Sequence, residues 1–278
     1  MPISTPNIVP IADRLKGHAR RQFLSALDKL RKEASASQIV RAIEIGELGA
    51  VQSAIKYAKL SVHLEPLLGT MNAAIVAAGK VTIQNIGVAV RFDMRNPFAE
   101  QAAITHRARL VRDVSTATQK GIANLVRKGL AEGIPPRDLA KLVKPMIGLT
   151  NNQASAALNL RKTLLKHGVS KEVTSKTVGR YIEKKLRERA ETIARTETIR
   201  ASNAGTQAAW SEARERGLIR VGGEPREWIA AYSERTCPIC QALDGETVPF
   251  DAVFSNGSMY PPAHPRCRCA VGLVYEKV

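Results

Sequence analysis

For most of its length this chain places apolar residues at helical spacing. Ile11, Leu15, Phe23, Leu27 and Leu30 recur among many Lys and Arg, which predicts a helix over Ile11–Glu33. Ile39, Ile43, Val51, Ile55 and Ala58 repeat the pattern and predict another over Ile39–Leu60. Pro66 and Gly69 are expected to break it, with a further helix over Leu67–Lys80 and a short strand or extended arm over Val81–Arg91. Asp93–Pro97 reads as a loop, because Pro97 biases Asn96 away from helix. Ile104, Ala108, Val111, Val114, Ile122, Leu125 and Val126 mark a strong helix over Phe98–Gly129.

Gly133, Pro135 and Pro136 form a hinge, and Pro136 suits the first turn of a helix through Asp138–Val143. Thr150-Asn151-Asn152-Gln153 has the form of a capping box, opening a helix that ends near Gly168. A long helical stretch is expected over about Lys171–Arg216, with a break near Gly179 possible from sequence. After Gly217 the texture changes: Pro, Gly, Trp and Cys become frequent, and Glu227–Tyr232, Glu246–Phe250 and Cys269–Tyr275 read as strands.

The pattern gives a mainly α fold: an elongated helical N-terminal body carrying a small C-terminal α+β module. Three regions are expected: 1–97, helical; 98–216, basic and helical with a long helix; and 217–278, rich in Cys and His. A length of 278 residues suits two units, and only 4% aromatic residues argues against a β-sandwich or barrel. The N-terminus lacks the charged start and apolar run of a signal peptide. The most apolar stretch, Leu67–Val90, is interrupted by Asn72, Lys80, Gln84 and Asn85, so it reads as a buried helix or an interface, and no stable membrane insertion is expected.

Charge sharpens the picture. The formal net charge is +17, which favours acidic partners. The excess is concentrated: residues 101–200 carry 21 basic against 8 acidic side chains, whereas residues 201–278 carry 8 against 9. Arg161, Lys162 and Lys166 form one cluster, and Lys184, Lys185, Arg187 and Arg189 another. Neither is interleaved with aromatics for base stacking. The expected mode is therefore non-specific contact with phosphates of double-stranded DNA, or a basic face docked on an acidic protein surface.

All four cysteines lie in the last 42 residues, and in a chain without an export signal such clustering suggests metal before disulfides. The order is Cys237-Pro238-Ile239-Cys240, a 26-residue spacer, and Cys267-Arg268-Cys269, with His264 three residues before Cys267. A C-x2-C turn aims two thiolates at one ion, and His264 with Cys267 offers a second chelating pair. Five candidates compete for four tetrahedral places, so Cys267 and Cys269 need not both bind. A structural Zn2+ suits a small module with short strands. A catalytic zinc would need an open position and a general base, for which Asp244 and Glu246 are the nearest acids.

The second motif is Ala194-Arg195-Thr196-Glu197-Thr198-Ile199-Arg200-Ala201-Ser202-Asn203-Ala204-Gly205. At helical spacing Thr196, Arg200, Asn203 and Gln207 share one face, and Glu197 can pair with Arg200. The small residues Ala201, Ala204, Gly205 and Ala208 would let another backbone approach closely. Arg195, Thr196, Glu197, Arg200 and Asn203 are expected to form a polar network tying this helix to the Cys/His module, rather than an active pair.

Residues 188–275 resemble the phage Mu F-like head morphogenesis family, the minor head or minor capsid proteins. The resemblance is carried by the Ala194–Thr198 helix with Asn203, Gly205 and Trp210; then Trp228; then Cys237–Cys240 with Leu243-Asp244-Gly245; then Pro261–Cys269. Phe98–Gly168 is similar in style, through Gly133–Leu139 and Gly148-Leu149-Thr150, and residues 1–95 are not diagnostic. The resemblance implies a virion protein of the capsid interior at the portal vertex, present in the host cytoplasm during assembly. Its implied partners are the portal protein and, further, the major capsid or scaffolding protein. Assistance in head assembly and in DNA packaging or ejection is implied too, as is metal binding by the Cys/His residues. No catalytic residue is assigned. The alternatives are a zinc-dependent nuclease or hydrolase, and a free DNA-binding regulator with sequence preference.

Overall fold

The computed structural model describes residues 3–223, 225–231 and 236–278, and the side chains from residue 5 onward. The protein is mainly helical, with a few short strands gathered toward the C-terminus. It comprises two compact units, each built from separated stretches: Met1–Arg20, Leu67–Ala108 and Glu191–Val278 in the first, Arg21–Pro66 and Arg109–Ala190 in the second. Three long helices, α1 (Val9–Glu33), α6 (Pro97–Ala131) and α9 (Lys171–Glu215), contribute residues to both.

The second unit is all helical. Besides parts of the long helices it holds α2 (Ala36–Glu44), α3 (Leu48–Ile55), a 3-10 turn at Tyr57–Lys59, α4 (Leu60–His63), α7 (Pro136–Met146) and α8 (Asn151–Lys166). The single helix expected over Ile39–Leu60 is therefore a string of short ones. Gly46 and Lys56 both take positive φ, 72° and 60°, which no right-handed helix accommodates. The capping box of α8 is formed: the Thr150 amide donates to Gln153 Oε1 at 3.0 Å, and the Gln153 amide to Thr150 Oγ1 at 3.4 Å. Pro136 opens α7, where its missing N–H is not needed. Phe23, Leu27, Ile39, Ile55, Val143 and Leu186 are among the side chains that fill this core.

The first unit joins helices to sheet. α5 (Glu65–Ile86) begins with Pro66 in its first turn and runs past Lys80, so Pro66 and Gly69 do not break it and Val81–Ile86 is helical rather than extended. Thr82, Ile83 and Ile86 continue its buried stripe, and Gly87, at φ 66°, ends it. α5 is long and apolar enough by composition to span a membrane, yet its Leu67, Met71, Ile75 and Ala78 are buried in this unit. Asn96 caps α6, its Oδ1 accepting from the amides of Phe98 and Ala99 at 3.0 and 3.1 Å.

The part of α9 in this unit carries the small-residue surface. A Cβ placed on Gly205 would lie 2.1 Å from the Ile75 carbonyl oxygen, so the backbones of α5 and α9 touch there, as the small residues predict. Beside that contact Thr82 Oγ1 donates to Ala78 O at 2.9 Å and lies 3.2 Å from Thr206 Oγ1.

Strands β1 (Ile3–Ser4), β3 (Arg226–Ile229), β4 (Thr247–Val248) and β5 (Ala270–Val274) form an antiparallel sheet in the order β1-β5-β3-β4. β2 (Ile219–Arg220) pairs separately with β6 (Glu276–Lys277). Tyr232, the end of one expected strand, lies outside the described residues. The Cys237–Leu243 stretch forms a helix as well as a turn, α10 (Pro238–Leu243).

Candidate metal centre

The four cysteines and His264 converge at one end of this sheet. Cys237 is the cap of α10: its Sγ accepts from the Cys240 amide at 3.5 Å, and Pro238 fixes the first helical φ. That geometry turns both thiols to one side. On the facing loop the Cys267 amide donates to the His264 carbonyl at 3.2 Å, and Arg266 sits at φ 66°, closing a turn that returns His264 and Cys267 to the same place.

His264 Nε2 lies 3.0 Å from both Cys237 Sγ and Cys240 Sγ, and Cys240 Sγ lies 3.7 Å from Cys267 Sγ. Two sets of three donor atoms, Cys237/Cys240/His264 and Cys240/Cys267/Cys269, share Cys240. All four cysteines are free thiols.

The closest pairs of this donor set are spaced for a zinc ion, and closing all of Cys237, Cys240, His264 and Cys267 on one ion would draw the two groups together. With Zn–S bonds of about 2.3 Å a tetrahedron has sulfur–sulfur edges of roughly 3.8 Å, close to the 3.7 Å found; the sulfur–nitrogen edges would open from 3.0 Å to roughly 3.5 Å. The histidine tautomer agrees. Nδ1 lies 2.8 Å from the Pro265 carbonyl, which only accepts, so Nδ1 carries the proton and Nε2 presents its lone pair to the sulfurs.

Acidity across the thiols is divided. The Cys269 thiol and amide, donating to Cys267 Sγ, pull Cys267 down to about 5, and the amide contact is 3.4 Å. Burial pushes Cys240 up to about 12, and the bond to Cys267 raises Cys269. Cys267 is thus the sulfur best prepared as a thiolate, with Cys269 as its donor.

α9 is stitched to this loop. Thr196 Oγ1 accepts from the Arg266 amide at 3.0 Å and donates to Thr192 O at 2.7 Å, while Arg266 Nε donates to Thr192 Oγ1 at 3.0 Å. Asn203 Nδ2 donates to the carbonyls of Cys269 (3.2 Å) and Ile199 (3.1 Å), and its Oδ1 accepts from the Val271 amide at 3.2 Å. Glu197 approaches Arg200 at 3.8 Å but meets His106 of α6 at 3.2 Å, a buried pair. Arg195 lies apart from these bonds and lines the cavity beside the cysteines.

The sequence model of the phage Mu protein F like protein family matches residues 120–272, a span that holds all five Cys/His donors and the Arg195–Asn203 motif. The chain belongs to the phage Mu F-like family. It is a phage head morphogenesis protein. Neither the curated proteins nor the solved structures give a match.

In this Mu F-like chain the basic residues fall in the second unit. Lys162, Lys166, Lys184 and Arg187 are exposed, and Arg161 and Lys185 are half-buried. Lys162 pairs with Glu132 at 3.5 Å and Lys185 with Glu188 at 2.8 Å, the latter also 5.5 Å above the Tyr181 ring. Arg189 does not belong to that surface. It is buried, bonds Thr118 Oγ1 at 3.2 Å and the Gly148 carbonyl, and lies over the Phe23 ring; burial lowers its pKa to about 10. Two residues, about 200° around the helix, separate it from exposed Arg187 and bring it to the core side.

Two residues of weight went unread in the sequence. His106 gave no signal, being a lone His in a helical stretch. Arg226, fully buried, donates to the carbonyls of Phe250 (2.7 Å), Ala252 (2.9 Å) and Met259, and holds the loop before the second Cys pair. Its alternation with Trp228 on β3 marks an inward position, which a charged residue rarely occupies.

Proposed function

We propose that this chain is a minor head protein that docks at the portal vertex inside the capsid and assists head assembly and DNA packaging or ejection. The observation that carries the reading is the family match over a span whose five Cys/His side chains gather in two overlapping groups of three that share Cys240. The role is structural rather than catalytic.

Cys237, Cys240, His264 and Cys267 would hold a structural zinc, which supplies a cross-link between α10 and the His264–Cys269 loop. Cys269 serves as donor to Cys267 in this arrangement, and Asn203 and Thr196 hold the loop against α9. Residues 217–278 form the Cys/His module. The exposed basic side chains of α8 and α9 contact packaged double-stranded DNA through phosphates, without base readout.

Two measurements test the reading. Co-expression with the portal protein of the same phage is expected to give a complex that survives size-exclusion chromatography, and separate elution would overturn the docking role. Metal analysis by mass spectrometry is expected to give one zinc per chain, lost in Cys237→Ser and Cys267→Ser. Absence of metal from a stably folded wild type would remove the zinc.

A further inference from the structure

We infer that the cavity beside the Cys/His cluster is a binding site for a phosphate group, built by Arg195, Arg266 and Arg268. The cavity measures about 260 Å3 and is lined by these three arginines together with the cysteines and His264. Arg195 comes from α9, and the other two flank Cys267 in the loop. Arg266 is held in place by its backbone bond to Thr196 and its Nε bond to Thr192, which leaves the Nη groups as donors. Arg195 and Arg268 are half-buried.

The charge balance is what points to an anion. Elsewhere in this unit Lys16 pairs with Asp13 and Arg214 with Asp251, while buried Arg226 is satisfied by backbone carbonyls. Among the described residues no ion pair joins Arg195, Arg266 or Arg268 to a carboxylate; Asp13, which lines a neighbouring cavity with Arg195 and Arg268, pairs with Lys16 at 3.4 Å. Three like charges converging on one partly enclosed space repel one another, and the arrangement is stabilised when an anion enters. The thiolates alone do not account for it. A zinc ion with three thiolates and a neutral histidine carries a single negative charge, against three guanidinium groups. A phosphate dianion makes up the difference, and its tetrahedral oxygens accept the paired N–H groups that guanidinium presents.

The site needs neither the zinc nor the portal contact, and its test separates them. Full-length protein, metal-loaded and metal-free, is titrated with inorganic phosphate by calorimetry and phosphorus NMR. Saturable binding is expected, competed by sulfate and weakened roughly tenfold or more in the Arg195→Gln/Arg268→Gln double variant. Zinc content of the variant is expected to stay at the wild-type level, whereas arginines that only neutralise thiolates would lose metal when replaced. Arg268→Lys, which keeps the charge but not the fork, is expected to give an intermediate loss and serves if the double variant fails to fold.

A short DNA duplex with and without a 5′-phosphate then identifies the source. Competition by the phosphorylated duplex alone assigns a DNA end, competition by both the DNA backbone, and competition by neither a small phosphate compound; each supports the site. Absence of saturable phosphate binding, or equal binding by wild type and double variant, overturns it.

Discussion

Asn203 shows how much one side chain of the right kind can decide. An amide both donates and accepts, and here it does so to two carbonyls and one amide, two of the three on the β5 edge beside the cysteines. A hydrophobic replacement of similar size leaves the Cys269 carbonyl and the Val271 amide buried without a partner. Asn203→Leu is therefore expected to destabilise the protein by about 2–4 kcal/mol, read from the midpoint of urea denaturation; an unchanged midpoint would show the bonds to be dispensable. This residue was legible in the sequence, because helical spacing placed it with Thr196 and Arg200 on one face. Arg226 was not. Its value lies in three carbonyls of a loop more than twenty residues away, and nothing in a linear pattern says that a loop will fold back over a strand.

The helices were the most readable elements, and their glycines show where reading stops. α9 contains Gly179 and Gly205, which look alike in sequence. A Cβ on Gly179 meets nothing within 4 Å, whereas one on Gly205 lies 2.1 Å from the Ile75 carbonyl. Gly179→Ala is expected to stabilise by about 1 kcal/mol through helix propensity. Gly205→Ala is expected to cost roughly 1–3 kcal/mol by forcing α5 and α9 apart. Thermal denaturation of the two variants side by side checks the opposite signs, and matching shifts would refute the close approach. Periodicity found α1 and α6 because each buries one long stripe, and the capping box at Thr150 with Gly168 found α8. It merged α2, α3 and the 3-10 turn over Ile39–Leu60, because apolar spacing does not register the positive φ at Gly46 and Lys56. The Cys/His cluster was legible as a donor set because spacing encodes chelation, but the division of labour between Cys267 and Cys269 needed the three-dimensional contacts.

At the scale of the whole molecule the metal and the basic surface make separate demands. The second unit contains no cysteine, so a chelator is expected to leave its helices protected while α10, β3 and β5 lose protection in hydrogen exchange, with recovery on adding zinc. Uniform protection before and after chelation would show that no metal supports the fold. For DNA, each phosphate contact removed lowers the salt slope of log K by about 0.9. Lys162→Glu with Lys184→Glu is expected to flatten that slope by about two units in a fluorescence titration. Arg189→Gln, acting on a buried group, is expected to lower stability and leave the slope unchanged. The pairing of β1 with β5 carries a further consequence, one of timing. Ile3 lies opposite Val274 in the same sheet, and Ile219 opposite Lys277 in the other. On the ribosome, residues 21–190 emerge and can assemble while β1 still waits for β5, which is translated after every described helix. Until then its edge is open to pairing with another nascent chain, so the slow step in making this protein is expected to be the closing of β1 onto β5.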